Sequence, residues 1–132
     1  MVPVAIWGAM TSTPIRILGI DPGSLVAGYA FIQAKIASPV LPRDFRILDA
    51  GALRADPKMG HSERIILLHA ALFELIERHQ PEVCVLERAF CDKNVSSALK
   101  LGEVRGAFIA AAGRAGVLVE HIKQAEVKKV LT

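Results

Sequence analysis

Short apolar runs alternate along this chain with stretches of helical spacing, and the breaks between them fall at proline, glycine and aspartate. Residues 15–20 (IRILGI) form a brief run of branched side chains stopped by the turn tripeptide Asp21-Pro22-Gly23, the pattern of a buried strand. A second strand is predicted over residues 26–33 and a third over 45–51, reached across a loop containing Pro39 and Pro42. The short connections favour an antiparallel meander of three strands. From 62 to 79 the period changes. Ile65, Leu68, Leu72, Leu75 and Ile76 recur on one side of a helix, with Ser62 as its cap and Pro81 as its stop. Residues 83–86 read as a strand buried on both faces, and Glu87 stands where it ends. A second helix is predicted over 96–114, a fifth strand over 117–122, and a further helical segment over 125–131.

The order is β, β, β, α, β, α, β, α. Helices between the later strands require parallel, right-handed crossovers, so an α/β fold is expected: a mixed sheet of order 3-2-1-4-5, with strand 2 antiparallel and helices flanking it. Ligands of open α/β sheets gather at the carboxyl ends of adjacent parallel strands, and Asp21 and Glu87 occupy two such ends. The second helix carries a stripe of small residues, Ala98, Gly102, Gly106, Ala110 and Gly113, at spacings of three and four. Such a stripe admits a close backbone, either the sheet of its own chain or a second molecule.

Composition narrows this picture only a little. At 132 residues and 52% hydrophobic, the chain is one domain's worth of polypeptide and apolar enough to bury a core. There is no internal repeat or Gly/Ser linker. Residues 1–13 lack a clear period and are read as a poorly ordered N-terminal extension to a single domain over 14–132. The net charge of +3 favours polyanionic partners weakly. Cys84 and Cys91 form no CxxC and meet no paired histidines at ligand spacing, so free thiols in a reducing cytoplasm are expected rather than a disulfide or zinc site. The apolar stretch over residues 2–10 is too short to span a bilayer and lacks the basic start of a secretory leader.

The candidate chemistry lies in the two carboxylates. Asp21 has two readings: it hydrogen-bonds the turn it opens, or it is a ligand. Glu87, following four apolar strand residues, either pairs with a base such as Arg88 or finds a cation. If their strands are neighbours, the two carboxylates reach one hard cation. Mg2+, which binds through one or two carboxylates, waters and phosphate oxygens, suits them and phosphodiester hydrolysis. His61, His69 and His79 show no catalytic pattern, and Glu120 has a better claim than His121 to supporting the strand-end site.

Two longer blocks give these residues a context. ILGIDPGSLVAGYAFI, residues 17–32, and LERAFCDKNVSSALKLGEVRGA, residues 86–107, resemble the first hairpin and the most typical segment of RuvC-type Holliday junction resolvases. EVKKVLT, residues 126–132, is similar to the Val-Lys segment of that family. The resemblance implies a ribonuclease H-like fold and a homodimeric, metal-dependent endonuclease. Such an enzyme makes paired symmetric nicks in four-way DNA junctions in recombination and repair, in the cytoplasm and beside branch-migration motor proteins. It implies Mg2+ or Mn2+ as cofactor, with Asp21 and Glu87 as metal-binding catalytic residues. Phe90 matches an aromatic set against bases at the crossover; its other reading is a loop anchor. Lys93, Lys100, Arg105, Lys123 and Lys128 are candidates for phosphate contacts, or else solvated charges. Asn94 is a DNA contact or the cap of the second helix. The small residues Ala98, Gly102, Gly106 and Ala110 fall where the family's dimer partner packs.

The sequence departs from the family pattern after Thr132, where a Gly-containing loop and a final helix with two further ligands are expected. On this reading the chain is C-terminally truncated and cleaves junctions poorly or not at all. Two rival readings differ in kind: a junction-binding module without chemistry, and a phosphate-binding fragment of an actin-like ATPase in which Asp21, Gly23 and Ser24 line a phosphate.

Overall fold

A computed structural model describes residues 14–35, 44–87 and 94–122. In chain order these form β1 (Ile15–Asp21), β2 (Val26–Lys35), β3 (Asp44–Arg54), α1 (His61–His79), β4 (Val83–Glu87), α2 (Val95–Arg114) and β5 (Leu118–Ile122). The five strands make one mixed sheet of order β3-β2-β1-β4-β5, the ribonuclease H-like arrangement expected. β1 pairs antiparallel with β2 and parallel with β4, and β5 continues the parallel side. The predicted helical segment over 125–131 and the extension over 1–13 lie outside the described residues, as do Phe90, Cys91, Lys93, Lys123 and Lys128.

Three local expectations are corrected. β3 runs to Arg54 rather than stopping at residue 51, because β2 is long enough to pair Val26 with Arg54 and recruit the intervening residues into the ladder. That ladder skips Leu48 between the pairs Phe31↔Asp49 and Ile32↔Ile47, a bulge that leaves Leu48 against the core. Ser62 is not a cap: α1 begins one residue earlier, with Gly60 at the N-cap and no side-chain cap bond. Nor does β5 include Val117, which belongs to the end of α2. There Gly116 takes φ 75°, and the Val117 and Gly116 N–H groups donate to Ala112 O and Gly113 O at 2.9 and 3.0 Å. These bonds satisfy carbonyls that a helix end otherwise leaves open.

Both helices pack on one face of the sheet. Leu18 and Ile20 of β1, Phe31 of β2, and Cys84 and Leu86 of β4 meet Leu68, Leu72 and Ile76 of α1 and Val104, Phe108, Ala111 and Ala112 of α2 in a single buried cluster. Burial pushes the Cys84 thiol from 9.0 up to about 12, because the thiolate would lose its hydration. The alternate residues point the other way. Ile47, Ile32, Ile17, Val83 and Leu118 stand in register across all five strands as one apolar row of that second face, on which no described helix packs.

Candidate metal centre at the strand ends

Asp21 closes β1 and Glu87 closes β4. The parallel ladder pairs Ile20 with Leu86, so the next residue on each strand is one of the two carboxylates. They stand on neighbouring strands about 5 Å apart along the sheet. Both point to the face away from the helices, where they line a concavity of about 300 Å3 with Gly19, Gly28, Val85 and Ile122 among its walls. Asp21 is exposed and Glu87 half-buried.

The turn after Asp21 is dictated by close packing. A Cβ on Gly23 would come within 2.1 Å of Val26 O, so only glycine lets the chain double back to start β2 there. That hairpin sets Gly28 opposite Asp21 and Ala30 opposite Gly19, which keeps the floor of the concavity low.

Neither carboxylate has a hydrogen-bond or ion-pair partner among the described residues, where Arg78 pairs with Glu74 and two further carboxylates lie against histidines. Arg88, the partner considered for Glu87, lies outside them. Two adjacent carboxylates with small neighbours and open access are suited to a hard divalent cation that keeps several water ligands. Among the described residues no group of three or more His, Cys, Asp or Glu side chains assembles a fuller ligand set.

The other predicted site residues separate clearly. Asn94 is the N-cap of α2: its side-chain oxygen accepts from Ser96 N and Ser97 N at 3.0 and 3.3 Å. Lys100 is exposed on α2. Arg105, read above as a phosphate contact, is instead turned into the molecule. One guanidinium nitrogen donates to the backbone oxygen of Glu87, and the other lies 3.0 Å from His121 Nδ1. Glu120 pairs in register with Val85, on the open face. His121, on the helix-covered face, is linked to the end of β4 through Arg105. A signal for Arg105 was present in its position beside Val104 and three residues before Phe108, both fully buried, which places its base at the rim of the packed helix face.

The small-residue stripe does not pack on its own sheet. Gly102, Gly106 and Ala110 are exposed and Ala98 is half-buried, with Val95 72% and Leu99 63% exposed beside them. Among the described residues, nothing lies within 4 Å of a Cβ built on Gly102 or Gly106.

Comparison with known proteins places this geometry in a context. The family model for crossover junction endodeoxyribonuclease RuvC matches residues 17–132. A protein of that name from Alkalilimnicola ehrlichii is 40% identical over 116 residues, covering 88% of this chain and 66% of the relative. Another from Chlorobium phaeovibrioides is also 40% identical, covering 88% of this chain and 59% of its own. The chain thus spans about three-fifths of the curated relatives it matches. Among solved structures, Thermus thermophilus RuvC in complex with Holliday junction substrate superposes with a TM-score of 0.76 at 27% identity, over 87% of this chain and 68% of that one.

Proposed function

The chain belongs to the RuvC family of crossover junction endodeoxyribonucleases, and from that footing we propose that it is the core of a metal-dependent nuclease that nicks four-way DNA junctions. The observation that carries this reading is the pair Asp21 and Glu87, side by side where β1 and β4 end, unpartnered among the described residues and open to solvent on one face.

Asp21 and Glu87 would hold Mg2+ or Mn2+, which when bound supplies an activated water and neutralises charge on the scissile phosphate. The two carboxylates would hold that cation at the ends of two interior strands, and the low floor formed by Gly19 and Gly28 leaves room for a phosphodiester. Lys100, exposed on α2, supplies positive charge for the backbone of DNA, and Phe90, Lys93, Lys123 and Lys128 keep the roles given by resemblance. Asn94 contributes by fixing the start of α2. Junction DNA is the substrate that a relative of this fold carries in its solved complex.

The chain would act as a homodimer through the outer face of α2. Glycine in a helix interior costs about 1 kcal/mol relative to alanine, and among the described residues of this chain no neighbour requires Gly102 or Gly106 to be small. A second copy packing its backbone against the stripe supplies that reason, and exposed Val95 and Leu99 supply apolar contact area. A cytoplasmic location and work beside branch-migration motors follow from the same reading. No helix of the described residues is long and apolar enough to cross a membrane.

The experiment is a gel-shift and nicking assay on a four-way junction and on a linear duplex of the same sequence, with Mg2+ or Mn2+. Salt-sensitive preference for the junction is expected. Any nicking should fall by at least about 100-fold in Asp21→Asn and Glu87→Gln while junction retention is kept. Equal retention of both DNAs would sink the junction assignment, and nicking that survives both substitutions would sink the metal centre. Junction binding with no divalent-cation binding at Asp21 and Glu87 would favour the module without chemistry.

A further inference from the structure

We infer that Arg105 is a positioning residue for the metal centre: its guanidinium braces the end of β4 against β5 and so fixes where the Glu87 carboxylate points. This rests on the metal-centre reading above and adds a residue that does not itself touch the cation. Val104 and Phe108 are fully buried on the core face of α2, so the backbone that carries Arg105 is held in place. From that fixed base the side chain reaches two acceptors on two adjacent strands. One is the backbone oxygen of Glu87 at the end of β4, and the other is Nδ1 of His121 on β5, at 3.0 Å. In the ladder His121 is paired with Leu86 and Glu87 with Ile122, so the two acceptors lie one residue apart along adjacent strands.

A guanidinium donates only, so Nδ1 of His121 must accept, and the proton of the neutral ring lies on Nε2. The planar fork holds both acceptors in one fixed geometry, which an ammonium group with rotatable donors on a flexible stem does not impose. Holding the carbonyl of Glu87 restrains the peptide that follows it, at the point where the strand ladder stops and the chain would otherwise be free to turn. With that peptide held, the Cα–Cβ bond of Glu87 keeps its direction on the face it shares with Asp21, opposite the face of His121. Ligands restrained by such outer contacts commonly lose about 10–100-fold in metal affinity when the contact is removed.

The test is Mn2+ binding to the folded chain, read by electron paramagnetic resonance of the free ion, in wild type, Asp21→Asn, Arg105→Ala, Arg105→Lys and His121→Phe. Simple electrostatics predicts that removing the positive charge of Arg105 tightens cation binding. The brace predicts the opposite sign: affinity falls about tenfold in Arg105→Ala, is not restored by Arg105→Lys, and falls to a smaller degree in His121→Phe. His121→Phe keeps an aromatic ring while removing the Nδ1 acceptor, and serves as the deciding variant should Arg105→Ala fail to fold. A thermal melt on each variant separates stability from affinity, since a residue that only holds the fold together lowers Tm without changing affinity per folded molecule. If Asp21→Asn weakens Mn2+ binding but Arg105→Ala and His121→Phe leave it unchanged or tighter, the brace is overturned and the metal centre stands. If wild type binds no Mn2+, or Asp21→Asn makes no difference, the metal centre falls and the brace falls with it.

Discussion

On β1 and β4 the residues alternate between a helix-covered face, where Leu18, Ile20, Cys84 and Leu86 are at most 5% exposed, and a face where Gly19, Asp21, Val85 and Glu87 keep contact with solvent. The same two strands therefore serve two purposes, divided by the two-residue period of the backbone. One face buries branched and aromatic side chains against α1 and α2, and its residues fix stability. The other keeps small residues beneath two carboxylates, the pair proposed above as the metal centre. Substitutions on the two faces should fail in different ways, the first by unfolding and the second by losing a ligand.

The largest effect is expected on the covered face. Phe108→Ala empties a fully buried site in the core cluster, and urea unfolding should show a loss of about 3–5 kcal/mol. A loss under about 1 kcal/mol would mean that the helix layer is not the main stabilising contact of the sheet. On the open face, Asp21→Asn should change unfolding free energy by no more than about 0.5 kcal/mol, yet weaken divalent cation binding about 100-fold, equivalent to ~3 kcal/mol. Strong destabilisation with unchanged cation affinity would return Asp21 to the role of a turn residue.

The covered face also has a pH signature. The folded Cys84 thiol is pushed from 9.0 up to about 12, so the unfolded chain ionises first as pH rises. Stability from the neutral thiol is complete below pH 9.0 and drains away as pH climbs toward 12. Denaturation at neutral pH and at about pH 10.5 should show a steeper alkaline loss in wild type than in Cys84→Val. Parallel losses would mean that the thiol meets water in the folded state. The smallest change is expected at Gly19, on the open face between the two apolar neighbours Leu18 and Ile20. Among the described residues nothing lies within 4 Å of a Cβ there, and alanine should stabilise the strand by up to about 1 kcal/mol. Destabilisation by Gly19→Ala would reveal that another segment presses on this face.

Much of this division was legible along the chain. The run at residues 15–20, the Asp-Pro-Gly stop and the apolar run before Glu87 announced two strands with carboxylates at their ends, because strand termini are marked by local turn chemistry. Asn94 was legible as a cap for the same reason, since its bonds to Ser96 and Ser97 span two and three residues. The length of β3 was not, because its last residues are held by pairing with a distant strand rather than by their own pattern. Nor was the outward aim of the Gly102 and Gly106 stripe, since helical spacing says which residues share a side but not what that side meets.

What the sequence alone determined is the alternation of elements, the turn that ends β1 and the presence of two acidic strand ends, all of which depend on neighbours a few residues apart. The sheet order brings those ends together, and its β1–β4 pairing joins segments more than sixty residues apart. Only the tertiary structure decided that Arg105 turns inward to the Glu87 carbonyl and His121. A long cationic side chain at the rim of a helix can reach solvent or a buried acceptor equally well, and the choice depends on whether folding sets acceptors within its span.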